Sequence, residues 1–263
     1  MIYFRYETYN HEQRHLGEDL SDLKNNIEII RRNYEGPFVL VTGDSWSAGE
    51  WDIDKGLNWV SQHSIAKYLE KNHIIAACWA SNPGWGDELS LELVRRLHHV
   101  FDYVVFVKSC SSRAIKDVLD TELKNLKGTN VFQHWTNYSN HVYKKLSVIQ
   151  DKLILIGGLN KINEDGLKLN TVLTIPSIME EYDSDFEASE WFGDEDVWDK
   201  YKKHSKYQES LLKAMDNFYE QKAYLASKPE LYSAGSDSYH PNRIIHIDLA
   251  RKIAETIVEN KKK

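Results

Sequence analysis

Cysteine is almost missing from this chain: Cys78 and Cys110 are the two among 263 residues. Each sits beside an apolar run rather than in a spaced cysteine framework, which excludes a disulfide-stapled scaffold and reads as reduced thiols. Basic charge is not in excess either. The 33 Lys and Arg residues face 40 Asp and Glu, a formal net charge of -7, so bulk electrostatics favours no nucleic acid or other polyanionic partner. No stretch approaches the ~18 apolar residues of a membrane span, and Met1 to Glu7 is not a basic region leading into an apolar segment. The reading is therefore a soluble chain with no membrane partner, expected in the cytoplasm. The histidines, His98-His99 included, are scattered and form no compact ligand motif, so neither metal nor cofactor is expected.

What is present points to one continuous core with an elaborated cap, because this length is about the upper size for a single core. Leu16, Leu20, Leu23, Ile27 and Ile30 alternate spacings of four and three and predict an amino-terminal helical extension over residues 1–36, ending near Gly36-Pro37. The same spacing is a coiled-coil seam of about two heptads, which leaves open a homodimer contact through this helix. The main domain is expected over 37–263. Four apolar runs, Phe38–Val41, Ile74–Cys78, Tyr103–Val107 and Leu153–Ile156, read as buried strands. Between them Leu57–Lys71, Leu89–His99 and Ala114–Leu126 have helical character. The alternation predicts an α/β fold with a doubly wound parallel sheet and ligands at the carboxyl ends of the strands. From about 162 to 232 the pattern turns acidic and aromatic and reads as a helical cap insertion, with a helix near Val197–Ala226. Asn242–Glu259 reads as a carboxy-terminal helix.

Chemistry concentrates at two places. Phe38-Val39-Leu40-Val41-Thr42-Gly43-Asp44-Ser45 runs from a buried strand into a turn that would put the Ser45 hydroxyl at the sheet edge, although Gly, Asp and Ser also favour ordinary turns. Near the other end, Asp237-Ser238-Tyr239-His240-Pro241 directly precedes the last helix. Pro241 biases His240 toward extended geometry, and Asp237 lies close enough to accept its Nδ1 proton, so that Nε2 can take a proton from serine. Together these segments resemble the first and last signature blocks of the SGNH (GDSL-type) hydrolases. The resemblance implies the flavodoxin-like α/β/α fold of that family, a serine esterase activity through an acyl-enzyme, and the roles of nucleophile for Ser45, general base for His240 and orienting acid for Asp237. It implies an oxyanion hole built from the Ser45 amide and the family's second-block glycine, for which Gly84 fits best and Gly86 is the alternative. Trp46 and Trp85 flank these residues and are expected to line a pocket for a sugar ring or an acyl group.

The third block departs from the family. Where the family has Gly-x-Asn-Asp, this chain has Lys108-Ser109-Cys110-Ser111-Ser112-Arg113, so Ser109 or Ser111 would have to supply the side-chain donor, or the hole has only backbone amides. Asn160, after the fourth strand, is a weaker candidate for that rim. The reading is an esterase for a small acyl ester, such as an O-acetyl group on a glycan. An acyl transferase, or a non-catalytic binding or virion-associated protein retaining the fold, stays open. A looser resemblance, in Gly43-Asp44-Ser45-Trp46, the serines and arginine after the third strand and Gly157-Gly158, is to SGNH-type proteins encoded by marine bacteriophages.

Overall fold

In the computed structural model the described residues are 16–51, 59–60, 63–72, 76–81, 86–109, 130–163, 169–191, 195–234 and 239–262. The amino-terminal periodicity forms α1 (Leu16–Arg32), and Ile27 on its stripe is fully buried in the main core. Arg31 at its end forks onto Asp102 with two 2.7 Å hydrogen bonds, and the same carboxylate accepts the Phe38 amide at 2.8 Å. The helix is thereby tied to the start of β1 (Phe38–Gly43). A short α2 (Ser45–Ala48) follows. Next come a two-residue antiparallel pair, β2 (Glu50–Trp51) and β3 (Trp59–Val60), and then α3 (Ile65–Lys71) and β4 (Ala76–Ser81). The helix expected from Leu57 thus begins only at Ile65, where the Ser64 side chain caps it by accepting the Lys67 amide, because Trp59 and Val60 are spent on the β pair.

Beyond β4 the chain forms α4 (Asp87–Leu97), β5 (Tyr103–Lys108), α5 (Val131–Leu146), β6 (Leu153–Gly157) and β7 (Leu173–Ile175). The five long-range strands make one parallel sheet in the order β4-β1-β5-β6-β7. The expected α/β class with a parallel sheet covered on both faces is what forms. Its strands are apolar without alternation because both faces are covered. Val39, Val41, Val105, Val107, Ile154 and Ile156 face a core closed by α3 and the last helix, while Leu40, Val104, Phe106 and Leu155 face one closed by α1, α4 and α5. The segment expected to open the cap at 162 contains β7, the fifth strand of this sheet, so the cap boundary lies later. Three residues of edge strand are too short to announce themselves in sequence. The helix expected over Ala114–Leu126 lies outside the described residues.

After β7 come α6 (Ile178–Tyr182), whose Ile178 and Met179 are buried in the sheet core, and then α7 (Glu195–Tyr201) and α8 (Gln208–Ser227) of the expected cap. The single helix anticipated from Val197 is broken by a turn at Lys202–His204 before α8. Val197, Tyr201, Tyr207, Leu211 and Ala214 of the cap bury against Val131 and Trp135 of α5, a third cluster separate from the sheet cores. The chain then forms the antiparallel pair β8 (Tyr232–Ala234) and β9 (Tyr239–Pro241), and ends in α9 (Arg243–Asn260), capped by Asn242. Among the described residues no helix is long and apolar enough to cross a membrane.

Candidate active site

The strand order reverses at β1: the next sheet strand in sequence, β4, lies on one side of it and β5 on the other. In open α/β sheets this reversal leaves a crevice beyond the carboxyl ends of the strands, and Ser45 stands at the end of β1. The turn that puts it there needs glycine at 43. Gly43 has φ +150, and a Cβ on it would stand 2.6 Å from the Val107 carbonyl oxygen. Asp44 then caps α2, its side chain accepting the Trp46 amide at 2.9 Å, and its carbonyl receives the Ser47 hydroxyl at 2.8 Å. Both bonds are local to the turn that bears Ser45.

His240 arrives from the far end of the chain on β9, where it pairs with Ser233 of β8. The residues after it hold it in place. Asn242 caps α9 by accepting the Ile244 amide at 2.9 Å, while its own backbone amide donates to the Leu231 carbonyl, also at 2.9 Å. Arg243 forms a salt bridge with Glu50, just beyond α2, at 2.8 Å. The result is a separation of 3.1 Å between Ser45 Oγ and His240 Nε2 across 195 positions of sequence, with both side chains buried. This is within the reach required of a nucleophile and its base. Asp237, Gly84, Trp85 and Ser111 lie outside the described residues. His246, one turn into α9, is fully buried beside the Gly49 and Pro241 backbone, and burial pushes its imidazole down to about 4, so it is neutral near pH 7.

The remaining candidates fall into place unevenly. Gly86 is the N-cap of α4 and so lies at the same sheet edge. Ser109 directly follows β5 and is buried, and its amide donates to Asp87 Oδ1 at 2.7 Å, a bond that leaves the expectation for its hydroxyl untouched. Trp46 requires a correction. It is 1% exposed, belongs to the sheet core and tilts against Tyr232 at 6.2 Å, so it is a packing residue beneath the nucleophile rather than a pocket wall. Its burial follows from its place in a one-turn helix pressed on the sheet. Asn160 lies on the loop after β6 and donates to the Glu190 carbonyl at 2.7 Å, joining that loop to the cap. A cavity of about 460 Å³ lies against the cap between Lys161, Trp191, Lys213 and Asn217, and neither Ser45 nor His240 lines it.

Sequence reasoning missed the group beneath the third block. Lys108 and Asp87 are both almost fully buried, with Nζ 3.6 Å from Oδ2, and Lys108 Nζ also donates to the Ser109 carbonyl at 3.1 Å. A lysine closing an apolar strand was the available signal. Burial drives the Asp87 carboxyl up to about 6, against the downward pull of Lys108 and the Ser109 amide. Among the described residues no cluster of three or more His, Cys, Asp or Glu could hold a metal ion.

No family model matches the chain, and no curated protein does. Among solved structures it is similar to a psychrotrophic esterase, EstA, from Pseudoalteromonas sp., at 13% identity and a TM-score of 0.40 over 86% of this chain and all of that one. It is also similar to a lipase/acylhydrolase from Enterococcus faecalis, at 14% and 0.39 over 84% of this chain and 95% of the other. A carbohydrate acetylesterase family member from Sinorhizobium meliloti shows 11% and 0.39, over 85% and 98%. Similarity at this level assigns neither a family nor a substrate.

Proposed function

We propose that the protein is a serine hydrolase for small acyl esters, with Ser45 as nucleophile, His240 as general base and Asp237 orienting the imidazole. The observation that carries this reading is the buried 3.1 Å approach of Ser45 Oγ to His240 Nε2. With the proton on Nδ1, Nε2 accepts the serine proton as Oγ bonds to the ester carbonyl carbon. His240 then returns that proton to the departing alkoxide as the ester C–O bond breaks. Water, deprotonated by the same nitrogen, cleaves the acyl-serine and restores the hydroxyl. An O-acetyl group on a glycan is one example of such an ester. A second reading, a binding protein that has kept the fold, draws support from the third block, where the Ser109 amide is held by Asp87 instead of being presented to a substrate.

Labelling with a fluorophosphonate, which reacts with activated serines, separates the two. The expected result is one adduct, at Ser45, lost in Ser45→Ala and slowed at least ~100-fold in His240→Ala. A protein that takes no adduct under conditions labelling a control esterase would exclude the hydrolase reading.

A further inference from the structure

β4 and β5 flank β1, whose end carries Ser45, and one side chain joins the start of α4, beyond β4, to the end of β5. Asp87 opens α4 directly after Gly86, and Ser109 is the first residue after β5. We propose that Asp87 is a positioning residue that fastens the start of α4 to the end of β5 beside the strand that carries Ser45, and that Lys108 is the counter-charge holding it there. The proposal rests on the esterase reading above.

Three contacts carry it. The Ser109 amide donates to Asp87 Oδ1 at 2.7 Å, Lys108 Nζ lies 3.6 Å from Oδ2, and the same ammonium donates to the Ser109 carbonyl at 3.1 Å. Both polar groups of the Ser109 backbone are thus held by one buried pair, at the residue where the chain leaves the sheet. A buried ion pair is a poor route to stability, since its desolvation offsets its attraction, and such a pair is better placed to hold a register. Two carboxylates lie near enough to act on Asp87, Glu88 of its own helix and Asp44 of the nucleophile turn. Tyr138 and Tyr143 face it from α5. Lys108 favours the charged form of Asp87, which these two carboxylates oppose.

Removing either partner alone would strand a buried charge, so the test removes both. Lys108→Met combined with Asp87→Asn keeps an acceptor oxygen for the Ser109 amide, whereas Lys108→Met combined with Asp87→Leu fills the same space without one. On an activated acetyl ester, the Asn variant is expected to keep kcat within ~10-fold of wild type and the Leu variant to lose ~100-fold, with KM unchanged in both. Hydrogen exchange at the Ser109 amide is expected to be slow in wild type, slow in the Asn variant and at least ~100-fold faster in the Leu variant. Equal kcat in the two variants would overturn the positioning role, and so would rapid exchange at Ser109 in the wild-type protein, a measurement that needs no variant to fold. Absence of Ser45-dependent turnover in wild type would sink the esterase reading instead, and the exchange pattern would then judge the fastening by itself.

Discussion

Gly43→Ala is the most exacting single change available, because it tests the nucleophile turn without touching a group that reacts. The added Cβ would stand 2.6 Å from the Val107 carbonyl oxygen and 2.8 Å from Val107 Cβ, at a φ of +150 that side chains rarely adopt. Holding an L-residue in such a region costs about 1–3 kcal/mol. Overpacking against a central strand adds about 1–3 kcal/mol. The total is about 2–6 kcal/mol, unless β1 and β5 move apart at the end that carries Ser45. Either response displaces Oγ, and a displacement near 1 Å costs about 100-fold in reaction rate. Urea unfolding should therefore show a lower midpoint with the slope unchanged. The second-order rate of fluorophosphonate labelling should fall about 100-fold in the fraction still folded at low temperature. Gly158→Ala is the control: its Cβ would lie 3.0 Å from the Lys108 carbonyl oxygen and 3.6 Å from Trp46 Cβ, with no positive φ, so a cost on the order of 1 kcal/mol is expected. A Gly43→Ala protein with the wild-type midpoint and labelling rate would refute the account of the turn.

Acid should act on this fold through opposed groups, the buried His246 and His134 on one side and Asp87 on the other. His246 has its pKa pushed from 6.5 down to about 4 by burial, so its contribution is complete above pH 6.5 and is lost as pH falls through 6.5 toward 4, roughly 3 kcal/mol in all. His246→Leu should flatten that part of the stability-against-pH curve, and an unchanged curve would contradict the burial argument. Asp87 runs the other way: its pKa is raised from 3.8 to about 6, so its penalty is full above pH 6 and is relieved on acidification toward 3.8, by about 3 kcal/mol. The Lys108→Met, Asp87→Asn double variant should lose this relief when unfolding is compared between pH 7 and pH 4.5. Trp135→Ala, in the cluster between α5 and the cap, should cost about 3–5 kcal/mol yet leave fluorophosphonate labelling of the folded protein within a few-fold. Labelling lost together with stability would mean that the cap contact also shapes the Ser45 site.

By itself the sequence determined the layers and the ends of the site. β-branched runs such as Tyr103–Val107 have no polar face, so they can be satisfied only as strands covered on both sides. A Gly-Asp-Ser directly after the first of them, and a histidine fixed by Pro241 before an amphipathic helix, are local arrangements legible without neighbours. The tertiary structure decided what depends on partners distant in the chain. α5 went unread because its buried Tyr138, Val142 and Tyr143 are β-branched and aromatic residues, whose helical state is imposed by packing rather than propensity. β7 is a strand because β6 offers it an edge. A tryptophan beside Ser45 suggests a pocket wall, and only the stacking of α2 on the sheet shows that Trp46 is core. Asp87 and Lys108 look like a helix start and a strand end until the parallel pairing of β1 with β4 and β5 brings their charges together in the buried interior. There each is tolerable only because the other is present.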